Sequence, residues 1–194
     1  DEDNHTNIGE NAMKILILQG HPAPDGPFDA YIDSLRKAWE DRGATVKTVI
    51  LREQKITPCT GCFKCWIKTP GRCVLKDDAE AIAQKYIGAD YIILATPLIL
   101  GYFSALMKNA LDRSIPLMHP HLEEVDEEIH HRKRYDRYPG IGVLLQREAD
   151  TDEEDIDIVS EISRRMSINM RTRLHFVKLT DSPVQEVAHA IDLH

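Results

Sequence analysis

Five short runs of apolar and β-branched residues are the feature of this sequence that most limits its fold. They lie at residues 14–19, 45–51, 91–96, 141–146 and 173–179. Runs of this length between turn residues are typical of buried strands. The intervening stretches carry apolar residues at helical spacing, as at Phe28, Ile32, Leu35 and Trp39. Strands that alternate with helices predict a parallel sheet covered by helices on both faces.

The number of strands and the chain length narrow this architecture further. A chain of 194 residues suits one domain with a single sizeable core. We therefore expect residues 13–194 to form one α/β domain, a doubly wound five-stranded parallel sheet with flavodoxin-like strand order. Ser104 is expected to cap a helix over 105–113, and Pro97 to stop the third strand.

The overall charge and the first residues bear on the protein's surroundings. Net charge is −8, without a long basic stripe, which argues against a nucleic-acid partner. The longest apolar run is too short to span a membrane. Residues 1–12 are acidic and polar and do not resemble a signal peptide, so we expect a loose N-terminal arm and a cytoplasmic location.

Residues 116–139 form a polar excursion that is too long for an ordinary connection. It is dense in both charge signs and holds Tyr135 and Tyr138. With so few apolar residues, we expect this flap to become ordered by packing on a second subunit, and we predict a homodimer with the flap or the cysteine loop near the interface.

Ligands of such sheets bind at the carboxyl ends of the strands, near the reversal of strand order. Three loops meet that edge, at residues 20–28, 97–104 and 147–153. In the second of these, Gly101 would let a flat ring approach the backbone and Ser104 begins a helix. The neighbouring side chains would form an apolar wall: Leu98, Ile99, Leu100 and Tyr102. An ordinary strand–turn–helix with core leucines has the same pattern.

All four cysteines lie within residues 59–73, a segment we call the cysteine loop, as Cys59, Cys62, Cys65 and Cys73. The spacing lets three thiolates point to one place, with Cys73 returning as a fourth ligand, which suits an iron–sulfur cluster of the 4Fe-4S type. Zinc is a second interpretation, although structural zinc sites usually pair two separated C-x2-C units. A disulfide and plain burial are the remaining ones.

Family resemblance enters at residues 96–113. Their pattern T-P-L-x-x-G-x-x-S-x-x-x-K-x-x-x-D-R resembles the flavin-ring loop of the NAD(P)H-dependent FMN reductase group of flavodoxin-like proteins. The cysteine loop is similar to the compact cysteine motif of the iron–sulfur flavoproteins within that group. The segment 134–139, RYDRYP, resembles their flap, and HPxPxxF at residues 21–28 resembles a loop of NAD(P)H quinone reductases.

The resemblance implies bound FMN with NAD(P)H as co-substrate. The phosphate would lie at the first loop, near His21, Gly26 and the N–H groups from Phe28 onward. The ring would lie against residues 97–101, that is Pro97, Leu98, Ile99, Leu100 and Gly101, next to Ser104. The flavin would then reduce a small acceptor such as a quinone or free flavin. No catalytic side chain is nominated, since the flavin carries the electron chemistry.

The first loop departs from the family pattern. It holds three prolines, which lack an N–H, and Asp25 and Asp29 bring negative charge towards the phosphate position. We therefore expect Asp29→Asn to tighten FMN binding. Three hypotheses follow: an FMN-dependent NAD(P)H oxidoreductase, an iron–sulfur flavoprotein that carries single electrons, and a flavodoxin-like binding module that has lost its flavin.

Overall fold

The computed structural model describes residues 12–193, which form a twisted sheet between two layers of helices. Its parallel strands run in the order β2-β1-β3-β7-β8, and the two-residue β4 pairs antiparallel with β3. The predicted five-stranded, doubly wound sheet is confirmed. The strands of this sheet are β1 (Lys14–Gln19), β2 (Thr45–Ile50), β3 (Tyr91–Ile99), β4 (Tyr102–Phe103), β7 (Gly140–Gln146) and β8 (Leu174–Leu179).

Helices cover both faces of the sheet, and the side chains of the strands divide between the two buried clusters that result. In β1, Ile15 and Ile17 face one buried cluster with α1 and α6, while Leu16 and Leu18 face the other. Both sides of the strand are buried, which explains why it reads as a continuous apolar run. The helices are α1 (Pro27–Glu40), α2 (Lys64–Ile67), α3 (Ala79–Ile87), α4 (Ala105–Asp112), α5 (Glu153–Asn169) and α6 (Val184–Ala188).

The sequence predicted that the third strand stops at Pro97, but the strand continues beyond this residue. Pro97 is the last residue of β3 in register with β7, opposite Gln146, so its missing N–H falls where that ladder ends. The chain then continues to Ile99 and folds back as β4. The edge loop after β3 is therefore a tight hairpin.

The flap is also different from the prediction. Most of it is a β-hairpin, β5 (Met118–Val125) and β6 (Glu128–Lys133), ordered on its own chain. At its base Leu117, Met118 and Tyr138 are buried in the core, and the Tyr138 hydroxyl donates to the Leu117 carbonyl at 2.6 Å. The expectation that the flap needs a second subunit to become ordered was wrong, because these buried residues anchor it.

No helix within residues 12–193 is both long enough and apolar enough to cross a membrane. The expected N-terminal arm, residues 1–12, lies outside the described residues except for its last residue.

Candidate cofactor site

The loops that follow β1 and β3 are tied together at the carboxyl edge of the sheet. The Gly20 N–H donates to the Ala95 carbonyl at 2.7 Å, and the Ser104 hydroxyl donates to the Gly20 carbonyl at 2.6 Å. Ser104 also accepts from the Met107 N–H at 3.2 Å, which confirms it as the N-cap of α4. A Cβ at Gly20 would lie 3.0 Å from the Ser104 hydroxyl, so this junction favours glycine.

Asp29 holds the first loop instead of leaving a free charge in it. Its carboxylate pairs with Arg52 at 2.7 Å, and both side chains are largely buried. The same carboxylate accepts from the Asp25 N–H at 3.1 Å and from the Gln19 amide. The sequence argument that Asp29 repels a phosphate did not include Arg52, which lies 23 residues away and neutralises it.

The three first-loop residues predicted to meet a phosphate lie in different surroundings. A Cβ at Gly26 would meet no described atom within 4 Å, so that position is open. His21 stacks on Phe28 with ring centroids 5.2 Å apart. The Phe28 side chain is itself buried in the core. Its backbone N–H lies before the first intrahelical bond of α1, which runs from the Ala30 N–H to the Gly26 carbonyl.

We now expect Asp29→Asn to weaken FMN binding, the reverse of the sequence-based expectation. The change leaves Arg52 without its charged partner and loosens the loop, at a cost of about 1–2 kcal/mol in the free energy of unfolding. Flavin fluorescence titration and urea unfolding measure the two effects. Asp33→Asn is the matched control, because Asp33 is exposed on the same helix. Tighter FMN binding by Asp29→Asn would restore the repulsion argument.

The loop after β3 presents apolar side chains on a strained turn. Leu98 pairs with Phe103 and Ile99 with Tyr102, so Leu100 and Gly101 form a two-residue turn. Both have positive φ, 52° and 70°, the pattern of a type I′ turn, which leucine adopts at a cost. Leu100 is 86% exposed and Ile99 40%. Leu98 is fully buried and belongs to the core, so the exposed wall is Ile99 and Leu100.

Gly101 is closely packed against another part of the chain, so the position is not open to a side chain. A Cβ there would overlap the carboxylate of Asp155, in the first turn of α5. Asp155 and Asp152 form a capping box, each accepting from the backbone N–H of the other. Gly101 therefore brings the ring loop against the start of α5, a contact that the sequence did not indicate.

The four cysteines line one small cavity together with Phe63, Leu75 and Ile115. Positive φ at Gly61 and Phe63 curls the chain so that Cys59, Cys62 and Cys65 face the returning Cys73. All four are free thiols, so these cysteines form no disulfide bond in the structure. Within residues 12–193 no three potential ligand side chains converge on a single metal ion. One zinc would require sulfurs about 2.3 Å from a common centre, whereas a cluster takes four thiols from a wider cavity.

The cavity places the thiols in unequal environments. Burial, followed by the nearby Cys73 sulfur, raises the pKa of Cys65. Hydrogen bonds from the Lys64 backbone N–H and the Thr60 side chain lower the pKa of the exposed Cys62.

A buried ion pair lies near Cys73, because its arginine, Arg113, lines a neighbouring groove together with Cys73. Arg113 donates to both carboxylate oxygens of Asp77, at 2.7 and 2.9 Å. Asp77 also accepts from the backbone N–H groups of Thr57 and Ala79. Burial alone would raise the pKa of Asp77, but these hydrogen bonds lower it to about 2. The sequence showed Arg113 only as the end of a family motif; its partner lies 36 residues away.

The ring loop and the cysteine cavity lie at opposite ends of α4. Ser104 begins the helix at the loop after β3, whereas Ile115, which lines the cysteine cavity, follows the end of the helix. The segment after β2 returns along the helix, since Asn109 donates to the Ile56 carbonyl. Eight helical residues span about 12 Å. The length of α4 therefore separates the cysteine cavity from the loop after β3.

Comparison with known proteins gives the family. The model of the NADPH-dependent FMN reductase family matches residues 13–130, more than half of the sequence. This chain belongs to that family. It is 34% identical over 105 residues to an iron-sulfur flavoprotein of Methanocaldococcus jannaschii and 31% identical over 105 residues to one of Methanosarcina thermophila. Each match covers 54% of this chain, and they cover 53% and 54% of the two relatives. The match thus spans about half the length of these relatives.

Two solved reductase structures have the same fold. An NAD(P)H:quinone oxidoreductase from Methanothermobacter marburgensis superposes with a TM-score of 0.63 at 16% identity, covering 92% of this chain and 94% of that one. An FMN-dependent NADH-azoreductase from Bacillus anthracis, solved with FMN, gives 0.61 at 12% identity, covering 92% and 93%. At such identities the likeness establishes the fold alone.

Proposed function

We propose that this chain binds FMN and passes electrons from NAD(P)H to a small acceptor such as a quinone or free flavin. The observation that carries the proposal is the joined pair of edge loops, in which Ser104 fixes Gly20 while the adjacent turn exposes Leu100. Bound FMN would supply the chemistry, by accepting a hydride from NAD(P)H and, with one further proton from solvent, delivering two electrons and two protons to the acceptor. Membership of the FMN reductase family supports this reading.

The residues of this chain would act by binding and orientation. The open position at Gly26 and the N–H groups at the start of α1 suit a phosphate, because helix N-termini favour anions. Pro27 at the first helical position withholds one N–H, and the neutralised Asp29 removes the repulsion. Ile99 and Leu100 would cover one face of the ring and exclude water from it.

Leu100→Asn tests this placement of the ring. Asparagine tolerates positive φ, so the turn should keep its shape while the apolar contact is lost. We expect FMN affinity to fall about tenfold, roughly 1.4 kcal/mol, less than the full burial of a leucine. Ile67→Asn is the control, since Ile67 is 81% exposed on α2 at a distance from the ring loop. Equal FMN affinity in the wild type and Leu100→Asn would refute the placement.

A second candidate function is single-electron transfer through an iron–sulfur cluster. Four free thiols that line one cavity favour it, as do the iron-sulfur flavoproteins among the relatives. Cys59, Cys62, Cys65 and Cys73 would hold the cluster, which supplies one-electron chemistry when bound. Exposed thiols such as Cys59 and Cys62 persist in reducing compartments, so we propose a cytoplasmic location.

The spectrum and iron content of anaerobically purified protein separate the hypotheses. Two flavin bands without iron support the reductase alone. Broad additional absorption with about four irons per chain supports the iron–sulfur flavoprotein. A colourless protein that does not bind added FMN would leave only the binding module without flavin.

We also propose a homodimer that uses the outer face of the flap hairpin. Leu122 and Ile129 lie on one face of the hairpin, 58% and 63% exposed, beside His131, which packs on Trp66 of the cysteine loop. Exposed apolar surface of this kind is typical of interfaces. We expect Leu122→Glu with Ile129→Glu to raise the dimer dissociation constant at least tenfold by light scattering. Ile158→Glu on α5 is the control. A monomeric wild type at micromolar concentration would end this proposal.

A further inference from the structure

One nitrogen of the Arg113 guanidinium, in the Arg113–Asp77 pair, has no hydrogen-bond partner among the described residues. Both terminal nitrogens of Arg113 donate to Asp77, and its side chain is only 2% exposed. The Nε atom is buried and has no hydrogen-bond partner among the described residues. A buried donor without an acceptor is costly, so the Nε atom favours an acceptor placed next to it, such as a ligand sulfur.

Cys73 connects this pair with the cysteine cavity. It lines the cavity with the other three cysteines, and it also lines a neighbouring groove together with Arg113. Arg113 and the sulfur that the sequence predicts as the fourth ligand therefore line the same groove.

We propose that Arg113 is a positioning residue that holds the Cys73 sulfur as a cluster ligand and raises the reduction potential of the cluster. This inference rests on the iron–sulfur function proposed above. A buried positive charge next to one ligand stabilises the more negative, reduced state, and N–H donors to the sulfur act in the same direction. Asp77 orients the guanidinium and offsets part of its charge.

The pair allows a test in which the sign of the effect is decisive. Arg113→Gln removes the cation and should lower the potential, whereas Asp77→Asn leaves the cation unopposed and should raise it. Both changes disturb the same buried pair, so a purely structural role would not move the potential in opposite directions. Iron and sulfide content and an EPR-monitored redox titration of the intact chain give the readouts. Arg137→Gln, which removes an exposed cation paired with Asp90, is the control.

A double variant guards against loss of folding. Arg113→Gln with Asp77→Asn exchanges the ion pair for two amides of similar shape, which is better tolerated than one unpaired charge. Because the guanidinium lies on the cysteine side, the double variant should have a lower potential than the wild type, by less than Arg113→Gln alone.

The outcomes separate the inference from the function beneath it. Loss of iron in Arg113→Gln, with iron retained in Arg137→Gln, supports the holding role, and opposite shifts in the single variants support the tuning role. If the iron-loaded single variants have the same reduction potential as the wild type, or both shift it in the same direction, the inference is overturned. The iron–sulfur function is then left intact. A wild-type chain that binds no iron overturns both.

Discussion

An Asp77→Asn chain should lose about 3–5 kcal/mol of unfolding free energy at pH 7, the range expected when one partner of a buried ion pair is removed. The amide would leave the Arg113 charge uncompensated in a site where its side chain is almost entirely buried. It would also weaken the acceptor for the Thr57 and Ala79 N–H groups, which join the segment after β2 to α3. Urea unfolding followed by circular dichroism measures the loss.

The effect should depend on pH in a defined direction. Burial would raise the pKa of Asp77, but its hydrogen bonds with Arg113, Thr57 and Ala79 lower it from 3.8 to about 2. A lowered folded-state pKa gives stability that is complete above pH 3.8 and is lost as the pH falls towards 2. The difference is worth about 2 kcal/mol, so wild type and variant should converge by that amount in acid.

A matched control separates this pair from ordinary surface ion pairs. Asp112 pairs with Lys108 one turn away on α4, and both side chains are nearly half exposed. Asp112→Asn should change the free energy of unfolding by no more than about 0.5 kcal/mol. A similar small loss in Asp77→Asn would mean that the buried pair contributes no more than the exposed one.

The sequence predicted those parts of the fold that depend on local periodicity. The run at 14–19 is β1 as predicted, and Ser104 begins α4 as predicted, because its side chain can accept an N–H group within the next turn. Pairing between distant segments was not predictable in the same way. The flap is a hairpin because residues 118–125 pair with residues 128–133. The sequence did not indicate this pairing, because charged residues interrupt the alternation of apolar and polar residues that is typical of strands.

The candidate site divides along the same line. The exposed Leu100 and the glycine at the turn follow from a motif of adjacent residues. Asp29 was misread because its charge depends on Arg52, and Gly101 because its neighbour is Asp155 on another helix. The predictions for Asp29 and Gly101 therefore failed because they depend on a charge and a close contact from residues that are distant in the sequence.

Replacing Trp39 by Ala should cost about 3–5 kcal/mol, as expected for a large aromatic side chain that is fully buried. The ring fills the cluster between α1 and α6, and its indole N–H donates to the Ala188 carbonyl at 3.1 Å. Trp39→Phe keeps most of the ring and should cost less, since it loses the hydrogen bond and only part of the volume. Urea unfolding followed by circular dichroism tests both. Tryptophan fluorescence is unsuitable, because both variants keep only Trp66 and their signal cannot be compared with that of the wild type. Equal losses for the two variants would mean that the hydrogen bond, rather than the packing of the ring, holds α6 on α1.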